Sequence, residues 1–380
     1  MTIYLDNAAT SYPKPPKVYE SLVTSLKMAG ANPGRASHKM ARLAQQIIED
    51  TRLKLAKLIN ASSLQQIVFT FNATDALNMA IKGILTSGDH VITSRLEHNS
   101  VLRPLQNLAQ KEISLTFIDF SSDGFISCED IEKAIRPETK LIVITAASNV
   151  LGTLQPIKEI GEIARKNNLL FLVDAAQVLG VVPMDVQEMK IDLLASSGHK
   201  GLMGPHGTGL LYVNDRVKLK SWREGGTGGD SLSIFQPDFL PTQLEAGTHN
   251  LVGIAGLGAA LDYLAEETTQ KIREQETILL TKLLKDLSEI SEVTLYGTLD
   301  IAKKVGVQAF SVKGYSSDEV ATILDEHFDI AVRGGLHCAP LLHQALGTVD
   351  NGLVRVSIGA FNTLEEIESF ILAIKEIVKG

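Results

Sequence analysis

Cysteine is scarce: the 380 residues hold two, Cys128 and Cys338. Two thiols cannot build a disulfide framework, and nothing near either has zinc-ligand spacing. Each must be read as a single thiol, and no metal site is expected. No apolar run approaches the length of a membrane-spanning helix, so no membrane partner is expected. The opening Met1-Thr2-Ile3-Tyr4-Leu5-Asp6 lacks the basic start and long apolar stretch of a secretory signal, so a cytoplasmic location is the expectation. No block rich in lysine or arginine stands out, and the net charge is −8. Nucleic acid is therefore not an expected partner. There is no internal repeat and no low-complexity tract. What remains is the composition of an ordinary globular protein, at a length that suggests one large and one smaller domain.

Between about residues 64 and 215 short apolar runs alternate with helical patterns. The runs are 67–70, 90–93, 114–118, 140–144, 169–173, 191–194 and 209–213; helices are expected around 76–81, 101–110 and after Pro156. Short β-branched runs separated by amphipathic helices predict an α/β fold, with a mostly parallel central sheet covered by helices. Residues 35–60 predict one long helix, and 250–288 a pair. The last third predicts strands at 307–312, 330–332 and 353–357, with helices at 316–326 and 363–378. The expected division is a large domain over 15–250 and a smaller α+β domain over 251–380, on which residues 1–14 pack.

In sheets of this kind ligands bind at the carboxyl ends of the strands. Lys200, in Ser197-Gly198-His199-Lys200-Gly201, leaves one such end, and Asp174 closes another. A strand-end lysine and a strand-end carboxylate are the two groups that a pyridoxal phosphate site needs most: the amine forms the imine and the carboxylate keeps the pyridine nitrogen protonated. Ala73 and Thr74 open a helix after strand 67–70, a cradle for the phosphate with Ser197 as a further hydroxyl. His98 is placed to lie flat on the ring, and Asn149 and Gln177 to reach its phenolic oxygen. Taken singly, each has a plainer reading: an N-cap for Thr74, a loop histidine for His98, a turn residue for Asn149. Cys128 reads as a structural helix-start residue. Cys338 sits among Gly, His and Arg in a polar loop, a setting that favours thiolate over a buried core thiol. Arg355 stands inside an apolar strand, where a guanidinium needs an anion; a structural ion pair is its plainer reading.

The ordered set Leu5-Asp6-Asn7-Ala8-Ala9-Thr10, Ala73-Thr74-Asp75, Glu97-His98, Ser148-Asn149, Asp174-Ala175-Ala176-Gln177, Ser197-Gly198-His199-Lys200 and Glu245-Ala246-Gly247-Thr248 resembles the class V aminotransferase family, fold-type I pyridoxal-phosphate enzymes. Within it, Arg333-Gly334-Gly335-Leu336-His337-Cys338-Ala339 resembles the active-site loop of the cysteine desulfurases, in the short form of the group II, Suf-type branch. The resemblance implies conversion of L-cysteine to L-alanine with the sulfur left on Cys338 as a persulfide. It implies Lys200, Cys338 and His98 as catalytic residues, and Ala73, Thr74, His98, Asn149, Asp174, Gln177, Ser197, His199, Lys200 and Thr227 around the cofactor. Arg355, Asn149 and Ala8 would bind the substrate. The stretch Glu224 to Gly229 matches the turn that in this family reaches the partner subunit's phosphate, which implies a homodimer with shared active sites. A sulfur-acceptor protein is a further expected partner. Two alternatives stay on the same scaffold: a selenocysteine lyase acting on L-selenocysteine, and a class V aminotransferase or epimerase in which Cys338 is incidental. The chain departs from better-known Suf-type enzymes in a shorter N-terminus, in Asn32 to His38, and in a short stretch between Gly229 and Glu245.

Overall fold

The computed structural model describes residues 2–34, 38–228 and 232–379. In chain order, β1 (Ile3–Tyr4), α1 (Pro16–Met28) and α2 (Lys39–Leu58) come first. Next are β2 (Ile67–Thr70), α3 (Ala73–Ile84), β3 (His90–Ser94), α4 (Asn99–Ala109), β4 (Ser114–Ile118) and α5 (Cys128–Lys133). They are followed by β5 (Thr139–Thr145), α6 (Ile157–Lys166), β6 (Leu170–Asp174), β7 (Leu193–Ser197) and β8 (Gly209–Val213). Two long helices, α7 (Leu251–Glu267) and α8 (Thr269–Ser288), lead to β9 (Val293–Tyr296), β10 (Val307–Val312), α9 (Ser317–Phe328) and β11 (Ile330–Ala331). α10 (Pro340–Leu346), β12 (Val354–Ser357) and α11 (Leu364–Ile377) complete the order.

Seven strands form one sheet in the order β2-β8-β7-β6-β5-β3-β4, parallel except that β8 runs against β2 and β7. The side chains explain why this sheet is covered on both faces. Successive strand residues point to opposite sides. Ile142, Ile144, Phe171, Val173, Leu194 and Tyr212 join one buried cluster with residues of α2, α6 and α7. Their neighbours Leu141, Val143, Leu172, Leu193 and Leu211 join a second cluster with α3 and α4. An unbroken apolar run is thus the signature of a strand that buries both faces.

Strand register lines up the carboxyl ends: Thr145 pairs with Asp174, Asp174 with Ala195, and both Thr70 and Ser197 with Gly209. A Cβ at Gly209 would lie 2.7 Å from the Asn72 carbonyl carbon and from Thr70 Oγ1, so only glycine lets β2 and its following turn come this close.

The last third forms an antiparallel sheet in the order β12-β10-β9, packed with α8, α9 and α11 around Phe310, Phe370 and Leu324. β1 pairs in parallel with β11, and Leu5 is buried in this third cluster. α7, just past residue 250, packs on α1 and α2.

Two expected boundaries moved. The strand expected over 191–194 is shifted: β7 runs from Leu193 to Ser197, all five residues buried. Ile191 and Asp192 precede it, and Asp192 is held by Arg165 and Arg216 at 3.2 Å each. Ser196 and Ser197 are small enough to remain in the sheet. The helix expected from residue 35 begins at Lys39, capped by His38 Nδ1 accepting from the Ala41 N–H; residues 35–37 lie outside the described ones. β1, α1, β9 and α10 were not anticipated.

Candidate active site

One cavity at the carboxyl edge of the sheet is lined by Ala73, Thr74, His98, Asn149, Asp174, Gln177, Ser197, His199 and Lys200. Nine of the expected site residues therefore meet in one place. Ala73 and Thr74 are the first residues of a twelve-residue helix, where backbone N–H groups have no acceptor within the helix. The cap of that helix is Asn72, whose side chain accepts from the Asp75 N–H, so Thr74 is not the N-cap. Its hydroxyl instead lies 2.7 Å from Ser100 Oγ. Ser197 Oγ is buried with no partner among the described residues. A helix start, two hydroxyls and an unpartnered buried donor make a fitting seat for a phosphate. Asp174 and Lys200 supply the carboxylate and amine for the rest of pyridoxal 5′-phosphate, and the residues fit that cofactor.

Burial dominates the electrostatics. Lys200 is pushed down to about 8, chiefly by burial and further by Arg355 and Arg333, against the opposing pull of Asp174. A lysine near neutrality is readily a free amine, as imine formation and proton abstraction require. Burial raises Asp174, while the Ala176 N–H, 3.0 Å from Oδ1, and Lys200 favour its anion. Behind it lies Glu97, fully buried. Its Oε1 accepts from Ser94 Oγ at 2.6 Å and the Thr145 N–H at 3.0 Å, whereas Oε2 has no partner among the described residues. Burial pushes Glu97 up to about 8.

His98 caps α4. Its Nδ1 accepts the Ser100 N–H at 3.0 Å, and burial, with Lys200 and nearby arginines, pushes its pKa down to about 4. The ring is thus neutral at pH 7 with its proton on Nε2. His199 lines the cavity too, but its Nδ1 lies 3.1 Å from Thr10 Oγ1 and its ring stacks on His206.

The cysteine loop is hung beside this cavity. Cys338 is half-buried and does not line it. Its carbonyl accepts from the Asn99 N–H at 2.8 Å, next to His98, and Asn149 Nδ2 donates to the His337 carbonyl at 2.7 Å. Asn149 thus holds the loop, with its Nδ2 already engaged. Gly335, His337 and Cys338 all have left-handed backbone, φ +99°, +50° and +58°. Arg333 Nη2 lies 3.9 Å from Cys338 Sγ.

Arg355 is 1% exposed. It pairs with Asp6 at 2.6 Å, and Nη1 donates to the Asn149 carbonyl at 3.1 Å. That ion pair is the plainer reading offered above; Nε, buried without a partner among the described residues, leaves donor capacity over. Ala8 lies outside the cavity, its N–H donating to Ser357 Oγ and its carbonyl accepting from Gln177 Nε2. Thr227 makes no contact with the cavity within this chain, and Gly229 of its turn lies outside the described residues. Neither Asp6 as the partner of Arg355 nor Ser100 as the orienter of His98 was among the expected contacts. The first is 349 residues away along the chain; the second carried a weak signal, the hydroxyl two residues after a capping histidine.

Residues 3–370 match the family model described as Aminotransferase class-V. A protein of Pyrococcus abyssi named "Probable cysteine desulfurase" is 38% identical, across 100% of this chain and 94% of its own length. A cysteine desulfurase of Salmonella agona is 33% identical, across 98% and 93%. The solved apo structure of a cysteine desulfurase from Thermococcus onnurineus NA1 superposes with a TM-score of 0.94 at 36% identity, covering 100% of this chain and 95% of that one.

Proposed function

This chain belongs to the class V aminotransferase family, and on that premise we propose that it is a pyridoxal-phosphate-dependent cysteine desulfurase. It converts L-cysteine to L-alanine and keeps the sulfur on Cys338 as a persulfide. When bound, the cofactor supplies an aldehyde that captures amines and a ring that takes up electrons from Cα. Asp174 holds the proton on the ring nitrogen. Arg355, with donors left over from Asp6 and Asn149, receives the substrate carboxylate. Lys200 Nζ removes the Cα proton. Cys338 thiolate then attacks the substrate sulfur: an S–S bond forms, the Cβ–S bond breaks, and the electron pair left on carbon takes a proton to give alanine. Sulfur is thereby oxidised to the persulfide level and Cβ reduced. Neutral His98, with its proton on Nε2, is a donor within that same cavity.

The observation that carries this reading is the attachment of the Cys338 loop to two pocket elements, at Asn99 and Asn149. A thiol held there is available to a sulfur bound against Lys200. Purified holoenzyme given L-cysteine should release alanine, and sulfide once a reductant is added. Cys338→Ala should keep the cofactor's yellow colour and lose alanine formation by about 100-fold or more. Undiminished turnover in that variant sinks the role of Cys338 and favours the aminotransferase or epimerase alternative. Competition between L-cysteine and L-selenocysteine decides the preference for sulfur or selenium.

A homodimer completes the proposal. Ile234 and Phe235 are 91% and 78% exposed, and Trp222 and Phe239 are exposed too, all close in sequence to Thr227. Apolar side chains so exposed favour cover by another surface, and the family resemblance assigns that cover to a second copy. Sedimentation equilibrium should give a dimer at micromolar concentration; a monomer there excludes shared active sites.

A further inference from the structure

A second cavity, of about 50 Å³, lies against the active site. Ala176, Gln177 and Lys200 line both cavities, so these residues form the wall between them. The second is otherwise walled by the N-terminal segment (Asn7, Ala8, Ser11), by Val305 to Val307, by Ser357 to Ala360, and by Glu276 of α8. Its other polar side chains are committed elsewhere. Asn7 Nδ2 donates to the Ser357 carbonyl and to Asn362 Oδ1, Ser357 Oγ accepts the Ala8 N–H, and Gln177 Nε2 donates to the Ala8 carbonyl. Glu276 is the exception: it is 4% exposed, and Oε2 has no partner among the described residues. A buried carboxyl oxygen left without a partner is costly, and a group retained at that cost calls for an explanation. The space suits a few water molecules at most, at roughly 10–15 Å³ each. Ser11 and Ala360 on its lining are half-buried, so it approaches the surface.

We infer that Glu276 is a proton-relay residue, which exchanges protons with Lys200 through water held in this second cavity and so connects the active-site amine to solvent. The inference rests on Lys200 being the base that takes the Cα proton. The step balances simply: the neutral Glu276 carboxyl releases its proton through water to solvent, the carboxylate so formed takes up through water the proton that the lysine ammonium gives up, and the neutral carboxyl is restored. The reverse returns a proton to the lysine. Burial lowers Lys200 and raises Glu276, so transfer between them is far less uphill than between an ordinary ammonium and an ordinary carboxylate. Arg273 acts on Glu276 electrostatically, and Lys304 precedes Val305 of the cavity lining. Arg273, one turn back on α8, favours the Glu276 anion, but its Nη2 donates to the carbonyls of Ile301 and Lys304. Lys304 donates to the Thr298 carbonyl and Gln308. Neither neutralises Oε2 by a hydrogen bond.

Exchange of the Cα hydrogen of L-alanine in D₂O, followed by proton NMR on the holoenzyme, tests the relay without any thiol chemistry. Glu276→Gln keeps the shape of the side chain and should slow exchange at least about 10-fold, with the cofactor's absorbance retained. Gly306→Ala adds a Cβ 3.4 Å from Glu276 Oε2, narrowing the cavity without altering any charge, and should slow exchange in the same direction. Infrared difference spectra at pH 7 give a readout independent of turnover: a protonated-carboxyl band that shifts in D₂O and is lost in Glu276→Gln. Wild-type exchange rates in both variants overturn the relay, as does absence of that band. No exchange in the wild type overturns the assignment of Lys200 as base, and the relay with it. Alanine exchange without desulfuration sinks the function proposed above and leaves the relay standing.

Discussion

The Lys200 cavity and the Cys338 loop lie side by side and are built by opposite means. The cavity's groups stand at the ends of strands whose positions are set by ladders of backbone hydrogen bonds and by apolar packing on both faces. The loop has no such ladder. It is held by a short pairing, in which Arg333 and Arg355 exchange backbone bonds and the Leu353 N–H donates to the Gly335 carbonyl, by the Gly335 N–H donating to Ser317 Oγ, and by the contacts of Cys338 and His337 with Asn99 and Asn149; the backbone is left-handed at Gly335, His337 and Cys338. Groups that must keep one geometry against a cofactor are built on the rigid element. The thiol for which we propose the sulfur-accepting role is carried on an element held by a few polar contacts.

Arg355 is where the two meet, and removing its partner should separate them. Its backbone bridges Arg333 of the loop, and its guanidinium reaches Asn149 of the cavity wall and Asp6. Asp6→Asn leaves a buried guanidinium without its counter-charge, which should cost about 3 kcal/mol of unfolding free energy. Denaturant unfolding measures that loss. The loop should suffer first: hydrogen exchange should rise over 333–338 while β5, β6 and β7 stay protected. Equal loosening of both regions would mean that the loop is part of the same rigid body and that the contrast above is wrong.

The same contrast explains what could be read from the chain. Asp174, Ser197 and Lys200 were legible because an unbroken apolar run that stops at polar residues marks both a doubly covered strand and its end. Arg355 was legible as a buried cation, since a guanidinium in an apolar strand needs an anion; Asp6 was not, because no local pattern selects a partner from the far end of the chain. The capping of α3 by Asn72 rather than Thr74 was hidden because either side chain can cap, and only the packed turn decides. In the cysteine loop only the residue types were readable. A left-handed backbone at His337 and Cys338 leaves no mark in composition, since neither residue signals it as glycine does. Glu97 and Glu276 were equally hidden: a lone glutamate reads as surface until tertiary packing closes over it.

Glu97 offers the finer test, on the rigid side of the comparison. In the folded protein burial holds its pKa at about 8, against an ordinary value of 4.5. The folded state therefore keeps a proton that the unfolded chain releases between pH 4.5 and 8. The resulting stabilisation is fully present below pH 4.5 and is lost as pH rises through 8. Glu97→Gln cannot titrate, so its stability escapes this decline. The free-energy difference between variant and wild type should shift in favour of the variant from pH 5 to pH 8, by on the order of 2 kcal/mol, in denaturant unfolding at the two pH values. A difference that stays flat would mean that Glu97 is already ionised in the folded protein. The floor behind Asp174 would then be wet and yielding, and the cavity would resemble the loop more than the sheet that carries it.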